Sequence, residues 1–348
     1  MHLTILILSY DRQNDLKKKI NFWNNFRNCN FKILIVDGSS KSAKFNIKNK
    51  NIKYIHLKTK DYHKRIFYSL KFINTKYFKL ESDNDYSFPN SINYAINFLK
   101  KNRSYSSVYG KSGIYSIYKN KIYINEIFKD QITLSNNNFK TRLKKYFSNY
   151  SPGLYYSVMR TESFKKTVKL WKNSKKKYGD KFQRFAEIHL PLVLLISGKV
   201  KIINQLFWVR HDDEITKRVE FESNKRLIKE DHGYSEISKW YLKNYKTGYF
   251  DNFIKNLSLI CKKKNNEKNF YLNNLFYYFY KKGLRKNKKN LLLEILKKIL
   301  PSKVKKFIRF NFGINGINIE SYYNSKLNFN YNFKINELKI FEKSLIKK

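Results

Sequence analysis

Four apolar runs of strand length stand near the start of the chain, and each ends in a polar or acidic cluster. Leu3–Ser9 leads into Tyr10-Asp11-Arg12, and Phe31–Val36 leads into Asp37-Gly38-Ser39-Ser40. Ile52–Leu57 leads to Lys60-Asp61-Tyr62, and Tyr77–Leu80 runs into Glu81-Ser82-Asp83-Asn84-Asp85. Between them Asp15–Phe26 carries Leu16, Ile20, Trp23 and Phe26 at helical spacing, and Tyr62–Ile73 has the same period. Continuous apolar strands alternating with amphipathic helices predict an α/β fold, because strands of a parallel sheet are buried on both faces by their crossover helices.

Further along, Pro89 is placed to open a helix through Leu99, Ser106–Tyr109 reads as a strand, and Ile114–Ile124 as a hairpin turning near Asn120. Phe164–Trp171 and Leu192–Ile196 are helical in pattern, with Gly198 as a C′ stop and Val200–Ile203 as a strand. After His211 the pattern changes to long polar helices with aromatic stripes, from about Thr216. The expected organisation is a domain over 1–212, with halves 1–110 and 111–212, and a helical, basic region over 213–348.

Composition narrows the function classes. The apolar fraction of 42%, with 28 Tyr and 28 Phe, argues against a disordered basic protein. The balance of 73 basic against 26 acidic residues, net +47, points to phosphate-bearing partners, although an A/T-biased coding sequence would produce the same Lys-, Asn-, Ile- and Tyr-rich chain. Cys29 and Cys261 have no metal-ligand spacing and form no framework, which favours a reducing compartment. No run approaches the roughly 18 apolar residues of a membrane span, and Leu3–Leu8 lacks the basic flank of a signal peptide. A cytoplasmic location is the expectation.

In an open α/β sheet, ligands bind beyond the carboxyl ends of the strands, so the four polar clusters are the candidate site. A carboxylate there accepts hydrogen bonds from a base or ribose edge. Two carboxylates one residue apart in a turn, such as Asp83 and Asp85, can converge on a hard divalent cation bridging a diphosphate. Asp61 and Lys64, at the start of a helix, are placed to reach the same diphosphate; a solvated helix face is the competing reading.

The order Leu3–Arg12, Ile35-Val36-Asp37-Gly38-Ser39 and Leu80–Asp85 resembles the nucleotide-sugar-binding half of a GT-A glycosyltransferase, close to family 2, over roughly residues 1–110. The resemblance implies a GT-A (Rossmann-like) domain with a mostly parallel sheet. It implies that Ser9, Tyr10, Arg12, Asp37 and Asp83 contact the donor nucleotide, and that Asp83 and Asp85 hold Mn²⁺ or Mg²⁺ on its diphosphate. A second block, Glu187–Ile202 followed by His211, is similar to the family's acidic pair, apolar helix, glycine, strand and histidine. The family's usual Asp is Ile188 here, leaving Glu187 as the catalytic base, with Pro191 in the first turn of the helix beyond it. A helix-terminal charge is the alternative for Glu187. By the same resemblance His211 completes the metal shell; a surface histidine in an acidic loop is its alternative.

The function so implied is metal-dependent, inverting transfer from a nucleotide-sugar, with UDP the commonest carrier, to a glycan or lipid-linked hydroxyl in surface polysaccharide or lipopolysaccharide assembly. Asn149–Arg160 is aromatic and turn-rich, and suits either an acceptor platform or core packing. In the tail, Asn290–Phe310 sets apolar residues on one face and lysines on the rest, the pattern of a helix on an anionic membrane surface or of one packed on the domain. The first reading makes the protein peripheral on the inner face of the plasma membrane. Two other classes compete. A sugar nucleotidylyltransferase normally opens with a glycine-rich phosphate loop, where this chain has Ser9-Tyr10-Asp11-Arg12. A nucleic-acid-binding protein would account for the charge but leaves the D-x-D without a purpose, and no binding module for specific nucleic acid is recognisable.

Overall fold

A computed structural model describes residues 1–118, 121–127, 131–148, 152–178, 186–211, 317–318 and 335–346. The 290–310 segment and most of the 213–348 region lie outside these residues.

The first half follows the α/β reading closely. Strands β1 (Leu3–Ser9), β2 (Phe31–Asp37), β3 (Ile52–His56) and β4 (Tyr77–Ser82) lie side by side in the order β4-β1-β2-β3, all parallel. Every residue of β1 is buried, which is why the run carries no polar alternation. Helix α1 (Gln13–Asn24) buries Leu16, Ile20, Phe22 and Trp23 against the sheet. Helix α2 (Tyr62–Ser69) ends in a single 3₁₀ turn, Leu70–Phe72. After the short strand β5 (Asp85–Ser87), helix α3 (Pro89–Lys101) starts at the expected proline.

The second half is where the sheet departs from a mostly parallel one. Strand β6 (Tyr105–Tyr118) is a single 14-residue strand where a strand and a separate hairpin arm were expected. It pairs antiparallel with β7 (Lys121–Ile127) and β8 (Val158–Arg160), and parallel with β9 (Lys199–His211). The sheet of ten strands is therefore mixed, with β10 (Ile317–Asn318) at one edge and β5 joined antiparallel to β9. Helices α4 (Phe139–Ser148), α5 (Thr161–Tyr178) and α6 (Ala186–Ser197) lie in this half, and a 3₁₀ turn, Pro152–Tyr156, precedes β8. Helix α6 begins at Ala186, so Pro191 lies inside the helix and not in its first turn. Gly198 does follow α6, yet its φ is not in the left-handed region. A Cβ there would stand 2.8 Å from both Ser104 O and Ser106 N, so close backbone approach demands the glycine.

The basic region also reaches back to the core. Helix α7 (Ile335–Ile346) packs on α1, with Leu338, Phe341 and Leu345 buried in the same hydrophobic core as the sheet. Among the described residues no helix is long and apolar enough to cross a membrane.

Candidate functional site

Strands β1, β2 and β4 are parallel neighbours, so Ser9, Asp37 and Asp83 emerge from one edge of the sheet. The edge extends further than sequence reading could show. Strand β9 is parallel to β6, β6 is antiparallel to β8, and β8 is antiparallel to β4. Strands β9 and β4 therefore run the same way, and Arg210 and His211 arrive at the same edge as the D-x-D turn.

The loops after β1 and β2 are tied into one surface. Gly38 N donates to Ser9 O at 2.8 Å, Asp11 N to Ser39 Oγ at 2.9 Å, and Ser40 N to Asp11 Oδ1 at 3.1 Å. Asp11 adopts φ +51°, a left-handed conformation that Asp tolerates better than most side chains because it bonds locally. At Gly38 a Cβ would fall 2.2 Å from Thr59 O, so only glycine lets the β2 loop lie against the β3 loop. Asp37 is fully buried, and its Oδ1 accepts from Ser39 N (3.0 Å) and Ser39 Oγ, while Oδ2 accepts from Tyr54 OH at 2.8 Å.

Asp83 is almost wholly buried. Its Oδ2 accepts from Ser9 Oγ at 2.8 Å, and its Oδ1 faces Ser82 Oγ at 3.3 Å and Arg12 Nη1 at 3.7 Å. Burial raises its pKa above the usual carboxylate value, an effect opposed by the Ser9 hydroxyl and the Arg12 charge. Asp85 is paired across strands with Arg210, whose Nε donates to Asp85 Oδ1 at 3.1 Å. Arg210 is in turn held by Tyr156 OH and lies over the rings of Tyr156 and Trp208, at 5.2 and 5.4 Å.

Several expectations are corrected here. His211 follows Arg210 in a strand, so the two side chains point to opposite faces, and the imidazole lies against Tyr115 with ring centroids 4.9 Å apart. It does not join Asp83 and Asp85. Asp83 Oδ2 accepts from Ser9 Oγ, and Asp85 Oδ2 is buried with no hydrogen-bond partner among the described residues. Among the described residues no three His, Cys, Asp or Glu side chains form a cluster that could hold a metal by themselves. Of the expected ligand set, His211 stands apart from the two aspartates; a hard divalent cation held by one or two carboxylates and the phosphates of a substrate would call on Asp83 and Asp85 alone.

Asp61 is the N-cap of α2, its Oδ1 accepting from His63 N (2.9 Å) and Lys64 N (3.0 Å), and the Lys64 side chain is exposed. The cation that α2 turns inward is the next residue, Arg65, which is buried, donates to Ser9 O and lies 5.8 Å from the Tyr10 ring. Tyr10 is itself 41% exposed at the rim. Tyr155 and Tyr156 are packed into the site wall, Tyr155 OH meeting Tyr62 OH at 2.7 Å and the Tyr156 ring lying 4.7 Å from Trp208, which matches the core-packing alternative for that segment. Glu187 is the second residue of α6; one residue separates that helix from β9, so α6 starts toward the edge where β9 ends. Arg65 and Arg210 are the site residues that sequence reading left unassigned. The helical phase of Arg65 beside Asp61 was a usable signal; nothing in the sequence linked Arg210 to Asp85.

No family model and no curated protein matches the chain. Among solved structures, it aligns with S. aureus TarS at TM-score 0.43 and 14% identity, covering 80% of this chain and 48% of that one. This chain thus spans about half the length of that TarS chain. It also aligns with S. aureus TarS 1–349 in complex with UDP (TM-score 0.41, 15% identity, 80% of each chain) and with UDP-GlcNAc (0.40, 14%, 80% of each).

Proposed function

We propose that this chain is a nucleotide-sugar glycosyltransferase. The observation that carries the reading is the meeting of Ser9, Asp37 and Asp83 at the carboxyl edge of a parallel sheet, with the loops after β1 and β2 bonded into one surface. A buried carboxylate fixed by Ser39 and Tyr54 offers a rigid acceptor to a base or ribose edge, and the exposed Tyr10 ring offers a flat apolar surface beside it. Arg12 at the mouth of this surface supplies positive charge to a diphosphate. In transfer, an acceptor hydroxyl attacks the anomeric carbon, the bond to the nucleoside diphosphate breaks, and a carboxylate takes the hydroxyl proton. Glu187, near the start of α6, is the residue we assign to that proton. The inverting course, a UDP carrier, a glycan or lipid-linked acceptor, and a setting in surface polysaccharide assembly follow from the family resemblance of the motifs.

The test is a donor screen read by nucleotide release, run with Mn²⁺ and again with a chelator, on wild type and Glu187→Gln. Release from one nucleotide-sugar by wild type, with turnover reduced about 10²-fold or more in Glu187→Gln and donor binding retained, is the expected outcome. Failure of every nucleotide-sugar to bind overturns the reading.

A further inference from the structure

Strands β1 to β4 begin at the end of the sheet opposite Ser9, Asp37 and Asp83. A cleft of about 490 Å³ opens among the residues at these strand starts, with Lys32, Lys50, Asn51, Lys53, Asn74 and Thr75 in its lining. Lys32 is the second residue of β2 and Lys53 the second of β3. Lys53 is in register with Leu34, two residues beyond Lys32, so both lysines stand on one face of the sheet. Asp37 ends β2 five residues after Lys32, about 16 Å away along the strand, which separates the cleft from the carboxyl edge.

The walls of the cleft are fixed by bonds within the protein. Asn51 Nδ2 donates to Cys29 O at 3.0 Å, and Thr75 Oγ1 is bonded to Thr4 Oγ1 and donates to Tyr77 O, both at 2.8 Å. Phe72 gathers the lysines: its carbonyl accepts from Lys32 Nζ at 2.6 Å, and its ring lies 4.2 Å from Lys53 Nζ and 5.1 Å from Lys71 Nζ. Among the described residues, none of Lys32, Lys50, Lys53 and Lys71 is ion-paired with a carboxylate. An unpaired lysine is ordinary on the surface of a chain with 73 basic and 26 acidic residues. Lys32 differs because it is partly buried: burial first and the charge of Lys53 second lower its pKa. The buried Lys19 and Lys79, by contrast, share Glu81, and the partly buried Lys111 meets Glu126.

The geometry points to this cleft as a second anion site, which takes a phosphate-bearing ligand on Lys32, Lys50 and Lys53. Several ammonium groups around one cavity call for a compact group with more than one negative charge, which phosphate supplies and a single carboxylate does not. Lysine suits that ligand, since its ammonium meets phosphate as a point charge with three rotatable donors. Lys32 Nζ directs only one of its three at Phe72 O. The volume falls within the range of small-molecule sites. These groups accept a phosphate free in solution or one carried on a lipid headgroup. The site is independent of the chemistry at the carboxyl edge.

Calorimetric titration of the full chain with inorganic pyrophosphate tests this site on wild type, on Lys50→Gln with Lys53→Gln, and on Lys100→Gln with Lys101→Gln. The two double variants lose the same charge, and all four lysines are exposed, so neither change threatens the fold. The cleft variant is expected to bind pyrophosphate about tenfold or more weakly than wild type, and the control variant within about twofold of it. Pyrophosphate should raise the melting temperature of wild type and control above that of the cleft variant, as a ligand of the folded state does. Cosedimentation of the same proteins with phosphatidylglycerol and phosphatidylcholine vesicles identifies the source. Loss of phosphatidylglycerol binding confined to the cleft variant places the phosphate on a headgroup, and loss of pyrophosphate binding alone places it on a soluble ligand. Equal behaviour of the cleft and control variants in both assays, or binding of neither probe, overturns the site and leaves the glycosyltransferase reading in place.

Discussion

Beneath the D-x-D turn, Lys19, Lys79 and Glu81 are buried as a cluster of two bases and one acid. Glu81 accepts from Lys19 Nζ and lies 3.8 Å from Lys79 Nζ, while Lys79 also donates to Tyr156 O at 2.8 Å. Burial pushes the Lys79 pKa down to about 8, against the pull of Glu81. The acid is what makes two buried ammonium groups tolerable, so Glu81→Gln is expected to destabilise the fold by about 3–5 kcal/mol in urea denaturation. Replacing Glu81 and Lys79 together by apolar residues should cost less than the sum of the single changes. A second buried group responds to acid. His189, packed in the core with His63 nearby, has its imidazole pKa driven well below the ordinary 6.5 by burial first and by the His63 charge second. The folded protein therefore holds it neutral, whereas the unfolded chain protonates it below pH 6.5. Stability should be constant with respect to this group above that pH and fall below it, by up to about 1.36 kcal/mol per pH unit. His189→Phe should flatten the acid limb of the stability profile, and an unchanged slope would assign the acid response to other groups.

At the scale of elements, two contacts close the structure around the site. Helix α7 places Phe341 among Phe22, Tyr86, Phe88 and Tyr115, and its Glu337 accepts from Asn90 N at 3.0 Å, capping α3 across 247 residues of sequence. Phe341→Ala should lower stability by about 3–5 kcal/mol in chemical denaturation, as deletion of a fully buried aromatic does. On the other side, the β2 and β3 loops approach too closely for any side chain at Gly38. Gly38→Ala should displace Thr59 and Arg65, destabilising by about 1–3 kcal/mol in chemical denaturation and weakening nucleotide-sugar binding measured by calorimetry. Apart from the three-residue β5, the elements from β1 to α3 were legible because each is a local pattern: a continuous apolar run, a helical period, a proline at a helix start. The docking of α7 was not, since an amphipathic helix announces a buried face without naming what covers it. The length of β9 was hidden for a related reason. Lys201, Asn204 and Gln205 within the strand interrupt its apolar pattern, and only pairing with β6 and β5 makes it one strand of 13 residues.

For the whole molecule the governing quantity is the net charge of +47. If the 290–310 segment forms an interfacial helix, each Lys or Arg near an anionic surface should contribute about 1 kcal/mol, an effect that fades as salt shortens the screening length. Cosedimentation with anionic vesicles should then be strong at low salt and weak at high salt, and Leu296→Ser with Ile299→Ser should reduce it even at low salt. A helix packed on the domain would respond to the same double change with a lower melting temperature and unaltered vesicle binding. The sequence by itself determined the α/β class, the parallel character of the first-half strands and the placing of Ser9, Asp37 and Asp83 at strand ends, because strand burial and strand ends are properties of short segments. Tertiary structure alone decided that the sheet is mixed, that His211 turns away from the acids and that Arg210 stands on Asp85, 125 residues distant. Which residue faces which across a sheet depends on register and strand direction, and these are set by the packing of the entire fold.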